Sequence, residues 1–208
     1  NVELIGGDTT QGPLSITITA QGLTPEGSYL SRSGAKSGDW LYVTGELGDA
    51  ALALQQITGK VDIEAQFIDI IKNKLDYPKP RVLAGQTLRE YASSAIDLSD
   101  GLIADLGHIC QASNVGANIV LDALPLSTIM RDSLLTDDAI TLALSGGDDY
   151  ELLFTVNEDN KVGMETAMSH AGTKVTCIGQ LNASQTISTT LNNKPIPINT
   201  VGFEHFSE

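Results

Sequence analysis

The sequence predicts an α+β fold, with helices packed on a mixed β-sheet, and three observations lead there. Short runs of period-two alternation or continuous apolar character are interspersed with longer segments of helical period. Their order lacks the strict strand-helix-strand rhythm of an all-parallel sheet. The 208 residues are 41% hydrophobic with only 7 prolines, enough to enclose a real core in one medium domain and part of another.

The first element is a strand over 13–22, where Leu14, Ile16, Ile18 and Ala20 alternate with Ser15, Thr17, Thr19 and Gln21. It is expected to pair antiparallel with the apolar run Val2 to Ile5 across the turn Gly6-Gly7-Asp8-Thr9-Thr10. Two strands cannot bury each other. The pair therefore looks like the end of a domain whose beginning is absent, and an initial Asn in place of Met fits a truncated chain. A polar bridge leads to a strand at Trp40 to Thr44 and the helix AALALQQI. Residues 63–75 follow as a helix, with Ile63, Phe67, Ile70, Ile71 and Leu75 at helical spacing. Pro78 and Pro80 end it, and Pro80 can open a helix from Arg81 to Tyr91. Then come strand SSAIDLS, helix LIADLGHICQAS, strand ANIVLD, helix DDAITLAL, strand YELLFTV, helix KVGMETAMSHAG, strand KVTCIGQL and a last strand around Ile187 to Leu191.

Composition narrows the function. With 12 Lys+Arg against 26 Asp+Glu the formal net charge is −14, a field that repels nucleic acid and anionic membranes. A phosphorylated ligand then needs local cations or a bound metal. No run of 18 apolar residues and no signal-peptide pattern occurs, so no membrane partner is expected and the cytoplasm is the expected location. Cys110 and Cys177 lie far apart and read as reduced, packed thiols.

Three segments place acids beside glycine at a turn or strand end: GGDTT at 6–10, DLSDG at 97–101 and SGGDDYE at 145–151. Glycine admits close approach of a ligand, and carboxylate and hydroxyl oxygens are the hard donors magnesium prefers. In the second segment Ile96 and Leu98 should face the core, Asp97 and Ser99 the other side, and Asp100-Gly101 should turn into a helix. A helix N-terminus there also suits an anion such as phosphate. An N-cap role for Ser99 or Asp100 is the plainer alternative, but it leaves Asp97 unexplained. Arg32, in RSGAKSGD, is a fixed cation able to fork onto phosphate oxygens, although the segment is not a Walker A loop. His108, His170 and His205 show no zinc spacing, and neither GxSxG nor a Cys/His signature appears. Oxygen-ligand metal chemistry on a phosphorylated substrate remains.

Taken in order, LIGGDTTQGPLSIT, SRSGAKSGDWLYVTG, SAIDLSDGLIADLGHI, LSGGDDYELLFTV and VGFEHF closely resemble the bacterial thiamine-monophosphate kinases. That group shares its superfamily with aminoimidazole ribonucleotide synthetase, selenophosphate synthetase and a hydrogenase maturation protein. The resemblance implies that residues 1–28 are the last strands of a truncated N-terminal α/β domain that binds ATP and magnesium and residues 29–208 a synthetase-like C-terminal domain, with magnesium-dependent transfer of phosphate from ATP to thiamine monophosphate, giving thiamine diphosphate, in a homodimer. By position it implies Asp8, Asp97 and Asp100 as magnesium ligands, Arg32 and Ser99 as ATP contacts, and Asp148 and Phe203 as substrate contacts. Asp148 stands where the family usually has Glu. Further acidic ligands of the family fall in a Gly-Asp-Asp and a Thr-Asp segment that this sequence does not contain. Another superfamily activity, or a nucleotide- or metal-binding module without turnover, is the alternative.

Overall fold

The computed structural model describes residues 2–197. The body is one seven-stranded mixed sheet with helices on both faces, so the α+β expectation holds. In chain order the elements are β1 (Trp40–Thr44), α1 (Asp49–Ile57), α2 (Ala65–Asp76), α3 (Val82–Leu88), β2 (Ala92–Asp97), α4 (Leu102–Ser113) and β3 (Gly116–Val120). After a 3-10 turn at Leu121–Ala123 come α5 (Thr128–Ser133), α6 (Thr136–Ser145) and β4 (Leu152–Val156). A second 3-10 turn at Glu158–Asn160 leads to α7 (Lys161–His170), β5 (Val175–Asn182), β6 (Ile187–Leu191) and β7 (Lys194–Ile196).

The sheet order is β2-β4-β1-β5-β3-β6-β7, and every neighbouring pair is antiparallel except β3 with β6. Alternation along the strands divides the core. Leu41, Val43, Ile96 and Leu153 pack with Leu102, Leu106 and Ile109 of α4 and with Ala143 and Leu144 of α6. On the other face Tyr42, Phe154 and Val156 meet Ala84 and Leu88 of α3 and Met164 and Met168 of α7, with the Tyr42 and Phe154 rings stacked at 5.6 Å. A third cluster, including Leu52, Ile63, Ile71 and Met130, joins α1, α2 and α5 at one end of the body. Cutting any one of the buried Leu, Ile, Met or Phe side chains to Ala costs about 2–5 kcal/mol, so the sheet is a rigid base for the turns at its ends.

Departures from the sequence reading have physical causes. Residues 2–22 form no strand, and every one is exposed, Leu14, Ile16 and Ile18 included. Among the described residues no third strand or apolar face covers the alternating stripe of the expected hairpin. Helix α5 was not expected; its signal is Ser127, whose hydroxyl accepts the Met130 N–H at 3.0 Å as an N-cap. The short β7 was not expected either. Helix α3 is shorter than the Arg81 to Tyr91 segment, because the chain closes a turn at Tyr91 N–H to Leu88 C=O and enters β2. Strand β4 begins two residues later than expected, since Tyr150 has φ 48° and cannot extend a strand.

Candidate functional site

Strand β2 is an edge strand, and its C-terminal end carries the DLSDG turn into α4. Ile96 and Leu98 are buried and Asp97 is exposed, as the alternation predicts. The strand ends at Asp97, however, and Ser99 and Asp100 belong to the turn. Gly101 has φ 102°, a backbone only glycine adopts readily, and a Cβ there would lie 2.8 Å from the Ser145 carbonyl carbon.

The turn is held by a residue the sequence reading did not single out. Asp105, one turn into α4 and 2% exposed, accepts the Ser99 N–H at 3.0 Å and the Asp100 N–H at 3.1 Å, both on Oδ2. Burial raises its pKa, the two amide bonds pull it back, and the Asp100 and Asp97 carboxylates raise it again. The amides that could have met a phosphate are thus occupied by the protein's own carboxylate. With Asp97 and Asp100 close by, the turn favours a cation over an anion.

The SGGDDYE segment, between α6 and β4, lies directly against this turn. Asp148 N–H donates to Ser99 C=O at 3.0 Å, Tyr150 N–H to Leu98 C=O at 2.8 Å, and Leu98 N–H to Glu151 C=O at 2.9 Å. A Cβ on Gly147 would stand 2.4 Å from the Ser99 oxygen, so glycine lets the two turns touch. Asp148 (φ 66°) and Tyr150 (φ 48°) are both held in left-handed backbone. Together the segments wall a cavity of about 730 Å³, lined by Ser99, Asp100, Gly146, Gly147, Asp148 and Tyr150 and closed on the far side by α1. Its size suits a small phosphorylated molecule.

Asp149 and Glu151 of the same segment line a second cavity of about 410 Å³ with Asp49, Lys74 and Arg81. Asp149 Oδ2 accepts the Gly48 N–H at 2.8 Å at the start of α1. Burial pushes Asp149 up to about 7, with the Gly48 and Ala50 amides opposing and Asp49 and Glu151 adding to the rise. Glu151 is buried and accepts from Arg81 Nε at 2.6 Å, from a second Arg81 nitrogen, and from the Thr44 hydroxyl at 2.6 Å. A Cβ on Gly45 would collide with this carboxylate. The pair ties α3, β1 and the segment together, a contact over 70 residues that local sequence patterns do not carry.

Three of the expected site residues, Ser99, Asp100 and Asp148, line the cavity together. Asp97 lines a neighbouring groove of about 500 Å³ with Tyr29, Val82 and Gln86, yet lies near enough for its charge to act on Asp105 and Tyr150. Arg32 is exposed in a loop anchored to the β2 edge by Ala95 N–H to Ser31 C=O, and its own carbonyl accepts the Ser113 hydroxyl at 3.1 Å. Asp8 sits on the exposed N-terminal segment, its carboxylate accepting the Thr9 N–H at 2.7 Å. Among the described residues no three acidic, His or Cys side chains assemble into a metal cage, so Asp8 is not brought to Asp97 and Asp100 here. Phe203 lies outside the described residues.

Residues 36–192 match the family profile of AIR synthase related protein, C-terminal domain. Over 209 aligned residues the chain is 46% identical to the thiamine-monophosphate kinase of Escherichia coli (strain K12), covering 100% of this chain and 64% of that protein. The chain thus spans just under two thirds of the length of the curated relative. Among solved structures, the thiamine-monophosphate kinase of Stenotrophomonas maltophilia K279a superposes with a TM-score of 0.75 at 37% identity, covering 83% of this chain and 56% of that one. A structure of AaThiL complexed with AMPPCP and TMP gives a TM-score of 0.69 at 27% identity, covering 85% and 54%.

Proposed function

Because the chain belongs to the family of AIR synthase related proteins, through their C-terminal domain, we propose that it is the larger part of a kinase transferring the γ-phosphoryl group of ATP to thiamine monophosphate. The observation that carries this reading is the contact of the DLSDG and SGGDDYE turns, bonded from Asp148 N–H to Ser99 C=O. It gathers Ser99, Asp100 and Asp148 around one cavity of ligand size. In the AaThiL structure the bound molecules are a nucleotide analogue and TMP. Residues 1–28 belong, in this reading, to the N-terminal ATP- and magnesium-binding domain, and residues 29–208 to the synthetase-like domain. In the same reading the whole protein acts as a cytoplasmic homodimer.

The donor set fits magnesium. Asp97 and Asp100 offer hard oxygens, and magnesium commonly takes only one or two protein carboxylates, completing its shell with water and substrate phosphates. A closed cage of protein ligands is therefore not required. Asp97 and Asp100 would hold the ion with Asp8 once the N-terminal segment is docked, and its charge would neutralise the phosphate oxygens.

The remaining work falls to the chain itself. Ser99 contacts the nucleotide, Arg32 forks onto its phosphates, and Asp148 and Phe203 hold thiamine monophosphate. Asp105 fixes the turn, so the groups do not have to be ordered at the moment of reaction. A phosphate oxygen of thiamine monophosphate forms the new bond to the γ-phosphorus, and the bond from that phosphorus to the β,γ-bridging oxygen breaks to release ADP. The attacking phosphate is already ionised, so no histidine base is needed.

Turnover of thiamine monophosphate to thiamine diphosphate by the full-length protein, with ADP release that stops on chelation of magnesium, is the expected result. Asp100→Asn should lower kcat about a hundredfold. Absence of turnover in the full-length protein would overturn the assignment. Chirally labelled γ-phosphate should transfer with inversion, whereas net retention would require a phosphoenzyme and exclude direct transfer.

A further inference from the structure

The least comfortable residue in the cavity is Tyr150. It is 42% exposed, lines the cavity, and holds a φ of 48° that aromatic side chains rarely take. Asp148, two residues before it, is also left-handed at φ 66°. Neither conformation is accidental, because the Asp148 and Tyr150 amides are both bonded to carbonyls of the DLSDG turn. The surrounding structure thus over-determines two unfavourable backbones, and a strained pair at a cavity wall asks for a functional cause.

The result of the strain is a particular surface. The Tyr150 hydroxyl lies 3.3 Å from Asp148 Oδ1, so ring and carboxylate stand side by side on one wall. Burial and the carboxylates of Asp148, Asp97 and Asp100 all raise the tyrosine pKa, which keeps the phenol protonated and its ring in a negative field. Lys60 is the basic residue among those lining the cavity. An aromatic face carries negative potential, and a carboxylate at its edge adds to it. Such a wall is complementary to a flat ring that is itself positively charged.

The geometry points to Tyr150 as the residue that selects the cationic heteroaromatic ring of the acceptor, with Asp148 supplying the countercharge. This rests on the kinase reading, in which the acceptor carries a permanently charged thiazolium. It adds that the enzyme recognises the charge of that ring as well as its shape. Tyr150 is a specificity-determining residue here and takes no part in moving the phosphoryl group.

The test compares thiamine monophosphate with an analogue in which the quaternary ring nitrogen is replaced by carbon, leaving a neutral ring of the same outline. Full-length protein is assayed as wild type, Tyr150→Asn and Tyr150→Phe. Asn tolerates left-handed backbone, so Tyr150→Asn removes the ring while leaving the turn intact, and unchanged melting temperatures check this. Wild type should show a KM about tenfold lower for the charged substrate than for the neutral one. Tyr150→Asn should abolish that preference by raising the KM of the charged substrate about tenfold, with the KM for ATP and kcat little changed. Tyr150→Phe should keep the preference within about threefold. A preference that survives Tyr150→Asn, or an equal rise in both KM values, would overturn the assignment while leaving the kinase reading in place. No turnover by wild type would overturn both.

Discussion

Asp105 shows what one side chain can do without touching a ligand. A single carboxylate oxygen takes two successive amides of the turn that carries Ser99 and Asp100. Asp105→Ala leaves both amides without that acceptor and should raise the KM for magnesium-ATP about tenfold in the full-length protein. Asp105→Asn, whose amide oxygen can accept the same two bonds, should remain within about threefold of wild type in a steady-state titration. If both variants shift ATP binding equally, charge and not turn geometry is the cause. Asp149 lends itself to a different measurement. Its folded pKa of about 7 lies above the ordinary carboxylate value of 3.8, so the folded state holds the proton more tightly. Its ionisation therefore weakens the fold as pH rises from about 4 to about 7, and does nothing below that window. Thermal melts of wild type and Asp149→Asn should nearly coincide at pH 4. By pH 8 the variant should be more stable by about 1 kcal/mol or more, roughly 2–4 °C for a chain of this size. Asp97 was readable from the alternation of Ile96 and Leu98, because a strand imposes its period on the sequence. Asp105 and Asp149 were not, because their partners are amides whose identity leaves no mark on the residue types around them.

At the scale of elements, the central strands and longer helices were legible wherever one period ran for a full element, as in α4 with Leu102, Leu106 and Ile109 all buried. The edges were not. Helix α5 and strand β7 are six and three residues long, too short for a period to declare itself. The meeting of α6, β4 and the DLSDG turn was hidden for another reason: it depends on glycines whose role is to offer nothing. Gly147→Ala would press a methyl to 2.4 Å from the Ser99 oxygen and separate the two turns. We expect a loss of about 1–3 kcal/mol in denaturant unfolding, together with weaker substrate binding. Gly107 in α4 has open space around it, so Gly107→Ala serves as the matched control. It should stabilise by up to about 1 kcal/mol.

Over the whole molecule the body and its N-terminal segment obey different physics. Residues 40–196 carry the seven-stranded sheet and its buried core, whereas residues 2–22 expose every side chain, apolar and polar alike. Limited proteolysis of the 208-residue chain should therefore cut first among residues 2–28, leaving a fragment that retains the sheet, as read by intact mass. Early cleavage within the sheet would show that the body is not stable alone. The alternation at 13–22 was legible as a strand pattern, but a pattern states only what a segment would bury given a partner. The acidity of the chain was equally visible, while its concentration at the DLSDG turn became clear only when the fold set Asp105 within reach of the Asp97 and Asp100 charges.

The two turns of the candidate site are joined through main-chain groups: Asp148 to Ser99, Tyr150 to Leu98, and Leu98 to Glu151. Such a joint is blind to which side chains hang from it, provided that Gly101 and Gly147 keep their places. Positions 97, 99 and 100 can thus be rewritten by mutation while the frame that displays them survives, and positions 148 and 150 by residues that accept left-handed backbone. For inheritance this separates the risk of misfolding from the search for new chemistry, and lets one scaffold be tried against many substrates over evolutionary time.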